Sequence, residues 1–171
     1  AVVVIAQDDD LVIFGINDTD TTIVADLLYG VFELAGKYPL DRSGRVTLEA
    51  NASTQLAAFS RSLWRDPRSS LAFAMSSRDG ELLARHRLVL PLFKELRWPP
   101  ARVTVRVNRG RAIFSSPTFV WGVCLDLDGE QWLVDNFFDL FPGIPYSIPW
   151  SYRRPPKILY TGNLHKIAHR A

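Results

Sequence analysis

Asp135 and Asp139 flank Asn136-Phe137-Phe138, an acidic pair framing two aromatic residues. Carboxylate pairs hydrolyse glycosidic bonds when they stand about 5–5.5 Å apart for retention, or about 6.5–9.5 Å for inversion. Four residues of extended strand span about 13 Å, outside both ranges. The pair therefore reads as structural: Asp135-Asn136 makes a turn and Asp139 ends a strand. Asp8-Asp9-Asp10 offers oxygen ligands to a calcium ion, but no EF-hand spacing follows, and a solvated turn is the better reading. His165 and His169 have the i, i+4 spacing of a helical metal pair without a third ligand, and they fall in a C-terminal tail expected to be flexible. His86 alternates with Leu82, Ala84 and Leu88 on one strand face, the pattern of a satisfied inner or edge histidine. Cys124 sits in an apolar run without a basic neighbour and reads as a small buried residue. There is neither a Gly-x-Ser-x-Gly elbow nor a glycine-rich phosphate loop. No catalytic residue, metal site or cofactor is assigned.

The aromatic residues offer a different chemistry. Trp98, Trp121, Trp132, Trp150 and Tyr152 crowd the second half of the chain. Flat aromatic faces bind pyranose rings, and sandwich cores also use tryptophan heavily. Trp98 and Trp121 have Pro99, Pro100, Val120 and Gly122 beside them, which offer few hydrogen-bonding side chains, so core packing is expected there. Trp150 and Tyr152 have Ser151, Arg153 and Arg154 beside them and are the least core-like. These two are the candidate sugar contacts.

The elements that must position these residues are strands. Val103, Val105 and Val107 alternate with Arg102, Thr104 and Arg106; Leu71, Phe73 and Met75 alternate with Ala72 and Ala74. Asp8-Asp9-Asp10, Asn17–Asp20, Ser43-Gly44, Asp79-Gly80, Arg109-Gly110 and Asp128-Gly129 punctuate the apolar runs as turn signals. The predicted strands are 2–6, 11–17, 22–33, 44–50, 54–60, 70–76 and 82–88. After a break come 102–108, 111–115, 118–127, 131–134, 137–140, 145–150 and 157–161. Residues 26–35 have a helix-like composition but are kept as strand. Short strands with turns every 8 to 12 residues or so argue for sandwiches. The break at 91–100 carries Pro91, Pro99 and Pro100, which cannot donate to a sheet ladder. The expected organisation is all-β: two immunoglobulin-like sandwiches in tandem, at 1–93 and, smaller, at 101–171, joined by a proline-containing linker at 94–100.

Composition agrees. The chain has 171 residues, too few for a (β/α)₈ barrel of about 250. Its 47% hydrophobic content supplies a core. A net charge of +2 with scattered Lys and Arg gives no nucleic-acid footprint. No apolar run reaches the about 18 residues of a membrane helix. One cysteine excludes an internal disulfide, and nothing specifies a compartment. The chain begins at Ala1 and its one methionine is Met75, as expected of a piece of a longer product.

The segment Asp135-Asn136-Phe137-Phe138-Asp139-Leu140-Phe141-Pro142-Gly143 resembles the Asp-Asn-aromatic-Phe-Asp-Leu-Leu-Pro-Gly signature of the last sandwich in β-mannosidase-like enzymes of glycoside hydrolase family 2. Ile16-Asn17-Asp18, Glu49–Ser53, Asp79-Gly80 and Ser116–Val120 look like that family's weaker upstream pieces, in its order. The chain departs from the pattern at Phe137, where many relatives carry tyrosine, and at Ile144, where they carry glutamate. The resemblance implies a parent that hydrolyses β-linked sugars in an upstream barrel, which would be this region's partner in the same polypeptide. It implies a non-catalytic C-terminal accessory or docking role here, with Asp135, Asn136, Phe137, Phe138, Asp139, Leu140, Pro142 and Gly143 as structural residues. A carbohydrate-binding module and a fibronectin-like interaction module are the alternatives. A tail that only docks is expected not to bind mannose, mannobiose or mannan.

Overall fold

The computed structural model describes residues 1–129 and 131–163. Among these it contains twelve strands, two short 3-10 turns and no α-helix. The chain divides into two compact units: Ala1–Glu33 with Tyr38–Leu96, and Leu34–Lys37 with Arg97–Ala171.

In the first unit, β1 (Val2–Gln7), β2 (Asp10–Asn17) and β5 (Ala52–Ser60) form one antiparallel sheet in the order β1-β2-β5. β3 (Ile23–Glu33), β4 (Leu40–Leu48), β6 (Ser70–Arg78) and β7 (Glu81–Leu88) form a second, ordered β4-β3-β6-β7. Alternation decides which side chains meet. Val2, Val4, Leu11, Ile13, Leu27, Val31, Phe59, Ala72 and Ala74 build one core with Trp64. Trp64 donates its indole N–H to Ser70 Oγ at 2.8 Å, so its polar edge is paired inside that core. The helix-like composition at 26–35 does not produce a helix: β3 runs between β4 and β6, and that pairing on both sides outweighs local propensity.

Asp79 and Gly80 both have positive φ and turn β6 into β7. Ser43-Gly44 makes no turn. It lies inside β4, where Gly44 pairs with Leu27 and Ser43 with Leu28. Asn17 closes β2 from within. Its amide donates to Thr21 O and Leu48 O at 2.8 and 3.1 Å and accepts from Thr19 N at 3.1 Å, which gives the Ile16-Asn17-Asp18 piece a structural reason.

In the second unit, β8 (Thr104–Asn108), β9 (Arg111–Ser115) and β12 (Tyr146–Pro149) pair in the order β12-β9-β8, and β10 (Val120–Val123) pairs with β11 (Phe138–Leu140). Ala112, Phe114, Val120, Val123, Leu125, Phe138, Leu140, Ile148 and Trp150 form its core. Three expected strands differ here. The run 118–127 pairs only over Val120–Val123, followed by an isolated bridge from Cys124 to Tyr160. Residues 131–134 are not a strand, and Asp128-Gly129 makes no hairpin. The cause is Asp126, whose carboxylate draws three backbone N–H groups, of Asp128, Gly129 and Gln131, into a tight loop. Residues 157–161 keep only the Tyr160 bridge; Pro155 and Pro156, just before them, have no N–H to extend a ladder.

Residues within the expected linker at 94–100 are structured. Phe93–Glu95 form a 3-10 turn, with Leu92 N donating to Glu95 Oε2 at 3.1 Å. Trp98 is buried in the second unit, stacked at 5.7 Å on Trp121 and 6.1 Å on Phe119. Asn163 clasps this stack. It accepts from Trp121 N at 2.8 Å and donates to Pro99 O and Phe119 O at 3.1 and 3.0 Å.

Candidate functional site

Two groups of residues compete as the site: the Asp135–Gly143 motif, and the aromatic residues beside it on the loops of the second unit.

The motif is occupied with its own backbone. Tyr146 donates its hydroxyl to Asp135 Oδ2 at 2.5 Å. Asn136 accepts from Leu125 N at 2.9 Å and donates to Asp126 O at 2.6 Å, tying the motif to the Asp126 loop. Phe138 is 4% exposed, with Phe114 edge-on at 4.9 Å and Tyr146 tilted at 4.8 Å. Val120 pairs with Leu140 and Val123 with Phe138, so Trp121 and Gly122 together oppose Asp139. Such a bulge leaves a backbone N–H without a ladder partner. Asp139 Oδ1 accepts it, from Gly122 at 3.0 Å, and Gly122 supplies the positive φ of +58°. Phe141 to Ile144 form a tight turn closed by Ile144 N to Phe141 O at 3.1 Å, with Pro142 at its second position and Gly143, φ +69°, at its third. Gly143 N also donates to Ser116 O at 2.8 Å. Leu140 is fully buried. Each carboxylate thus serves a different structural contact.

Phe137 departs from the strand pattern. It is 55% exposed and has φ +59°, so the chain turns at this residue before β11 begins. Of Phe137 and Phe138, Phe138 alone lies in the core.

The aromatic residues separate by burial. Trp150, read as one of the least core-like, is 8% exposed and belongs to the core; its indole N–H donates to Arg154 O at 2.8 Å. Tyr152 is 65% exposed and meets Trp150 edge-on, centroids 5.2 Å apart and planes at 60°. The two rings do not form a coplanar platform. Tyr152 instead borders a cleft of about 580 Å³ whose rim carries Asp128, Gln131, Arg154, Lys157 and Leu159. A smaller hollow of about 180 Å³ shares Gln131, Trp150 and Tyr152 and adds Trp132 and Val134. Trp132 is 93% exposed. Leu127 and Val134, on the same loop, are exposed too.

Sequence reasoning passed over Asp126 and Asn163, which shape this region. Their signal is faint: Asp126 lies two residues before Asp128-Gly129, an Asx-type loop spacing, and Asn163 acts only through distant partners. His86 accepts from Val4 N at 3.2 Å across the first unit, and burial first, then Arg87, lowers its pKa. Cys124 is buried. His165 and His169 lie outside the described residues. Among the described residues no three His, Cys, Asp or Glu side chains stand together as a metal set, and no helix is long and apolar enough to cross a membrane.

The fold and the backbone-bound motif define an all-β, immunoglobulin-like sandwich protein. Residues 9–95, just over half of the chain, match the profile of the Mannosidase Ig/CBM-like domain, and the chain belongs to that family. Its fold is similar to part of a β-D-mannosidase from Dictyoglomus thermophilum, with a TM-score of 0.75 and 21% identity over 90% of this chain. The match spans 20% of that structure's length. A comparison with curated proteins returned no match.

Proposed function

We propose that the chain is the non-catalytic C-terminal accessory region of a β-mannosidase-like glycoside hydrolase of the family 2 type. In this reading an upstream (β/α)₈ barrel of the same polypeptide cleaves β-linked sugars by the retaining route, and this region docks against it. The observation that carries the reading is the mannosidase-type family match over residues 9–95. The second unit adds support. Leu127, Trp132, Val134 and Phe137 expose apolar surface within one loop segment, as a surface does that meets a partner. Trp150 and Tyr152 do not form the paired, coplanar platform that the carbohydrate-module alternative expects of them, because one ring is buried and the other stands edge-on to it. The test is to produce the complete reading frame with Trp132→Asp and Val134→Asp. Weaker association between barrel and tail is expected, seen as earlier separation in limited proteolysis. An unchanged pattern would refute docking through this loop.

A further inference from the structure

The cleft beside Tyr152 has a composition that docking does not use. Its volume of about 580 Å³ lies within the about 300–1,000 Å³ of small-molecule sites. One wall is apolar, formed by the exposed Tyr152 ring and the half-exposed Leu159. The rim carries a carboxylate at Asp128, an amide at Gln131, a guanidinium at Arg154 and an ammonium at Lys157. Asp126, the other acidic residue among the described lining residues, turns its oxygens to three backbone N–H groups. Among the described lining residues, its charge and that of Asp128 offset those of Arg154 and Lys157. A phosphate or uronate would face two carboxylates, and a cation two basic groups. A neutral ring bearing many hydroxyls meets none of these penalties. Its hydroxyls can donate to Asp128, accept from Arg154 and Lys157, and do both with Gln131. The electron-rich face of Tyr152 suits the C–H face of such a ring.

We propose that this cleft is a binding site for a neutral pyranose oligosaccharide, with Tyr152 as the stacking platform and Gln131, Asp128 and Arg154 as its hydrogen-bonding rim. The site lies outside the residues that match the family profile. It adjoins the docking loop but uses different side chains, Tyr152 and Gln131 in place of Trp132 and Val134. One aromatic platform and an open cleft give weak binding, with a dissociation constant on the order of 1 mM.

The experiment is an NMR titration of the chain with mannotetraose and cellotetraose, and with glucose 6-phosphate and galacturonic acid as charged probes. Saturable shifts are expected with at least one neutral oligosaccharide. Tyr152→Ala and Gln131→Ala should each weaken binding by about tenfold or more with the remaining spectrum unchanged. Tyr152 is exposed, so its removal leaves the core in place; Gln131→Ala supplies a second reading if it does not. Lack of saturable shifts with either neutral sugar, binding insensitive to both substitutions, or tighter binding of the charged probes would each overturn the proposal. Trp132→Ala should leave the affinity within about twofold, which separates this site from the docking loop.

Discussion

Replacing Phe138 with alanine should unfold the second unit under conditions where the first stays folded. The ring is nearly fully buried and packs against both Phe114 and Tyr146 in a core built from short strands. Truncating a buried phenylalanine costs about 3–5 kcal/mol, from lost transfer free energy and the cavity left behind. A small domain has only about 5–15 kcal/mol in total, and units of this size sit near the lower end. Because 1 kcal/mol shifts the midpoint of a 60–100-residue domain by about 4–8 °C, the loss amounts to roughly 12 °C or more. Phe137→Ala is the matched control. That ring is exposed, so its removal should change stability by about 0.5 kcal/mol or less. Phe137→Gly should be neutral or slightly stabilising, because glycine adopts φ +59° without strain. Urea denaturation followed by tryptophan fluorescence and by amide NMR reports each unit separately. Equal losses from Phe138→Ala and Phe137→Ala, or a negligible loss from the first, would show that the motif does not sit in the core as described.

The bulge at Gly122 gives a second outcome: Asp139→Ala should cost about 1–3 kcal/mol by leaving that N–H unpaired, with Asp139→Asn recovering most of it, both read from urea midpoints. Asn17→Ala should destabilise the first unit by about 2 kcal/mol or more, because Leu48 O and Thr21 O lose their donor; hydrogen exchange at the end of β2 would report it. His86 is held below its usual imidazole range, mainly by burial. Its contribution to stability is complete above the unfolded value of about 6.5 and declines as pH falls through the lower folded value, since the unfolded chain takes up the proton first. His86→Gln should reduce the slope of stability against pH below about pH 6.5.

The first unit was legible in the sequence because its strands are long and bounded by turn residues. All seven of its predicted strands appear, and β3 resisted a helix-like composition because strands bracket it on both sides. Ser43-Gly44 misled because a solvent-exposed edge strand tolerates residues that elsewhere mark turns. The second unit was harder to read. Its strands are short, and its shape depends on side chains that bond backbone groups: Asp126 on its loop, Asn136 across to Leu125, Asp139 on the bulge, Asn163 on the Trp98 stack. Those contacts cut short a strand that periodicity alone extends to residue 127. Trp150 looked exposed because its neighbours are polar, yet its ring joins the core and the indole N–H finds its partner in the Arg154 carbonyl. Tyr152 is exposed, in keeping with its polar neighbours, but its cleft also draws on a loop more than twenty residues earlier.

The most direct measurement of the central proposal compares two proteins on an aryl β-mannoside: this chain alone, and the product of the complete reading frame that contains it. The complete product should hydrolyse the substrate with retention of configuration, while the chain alone should show no turnover above buffer. Turnover by the purified chain that disappears in Asp139→Ala, or a complete reading frame without a catalytic barrel, would contradict it.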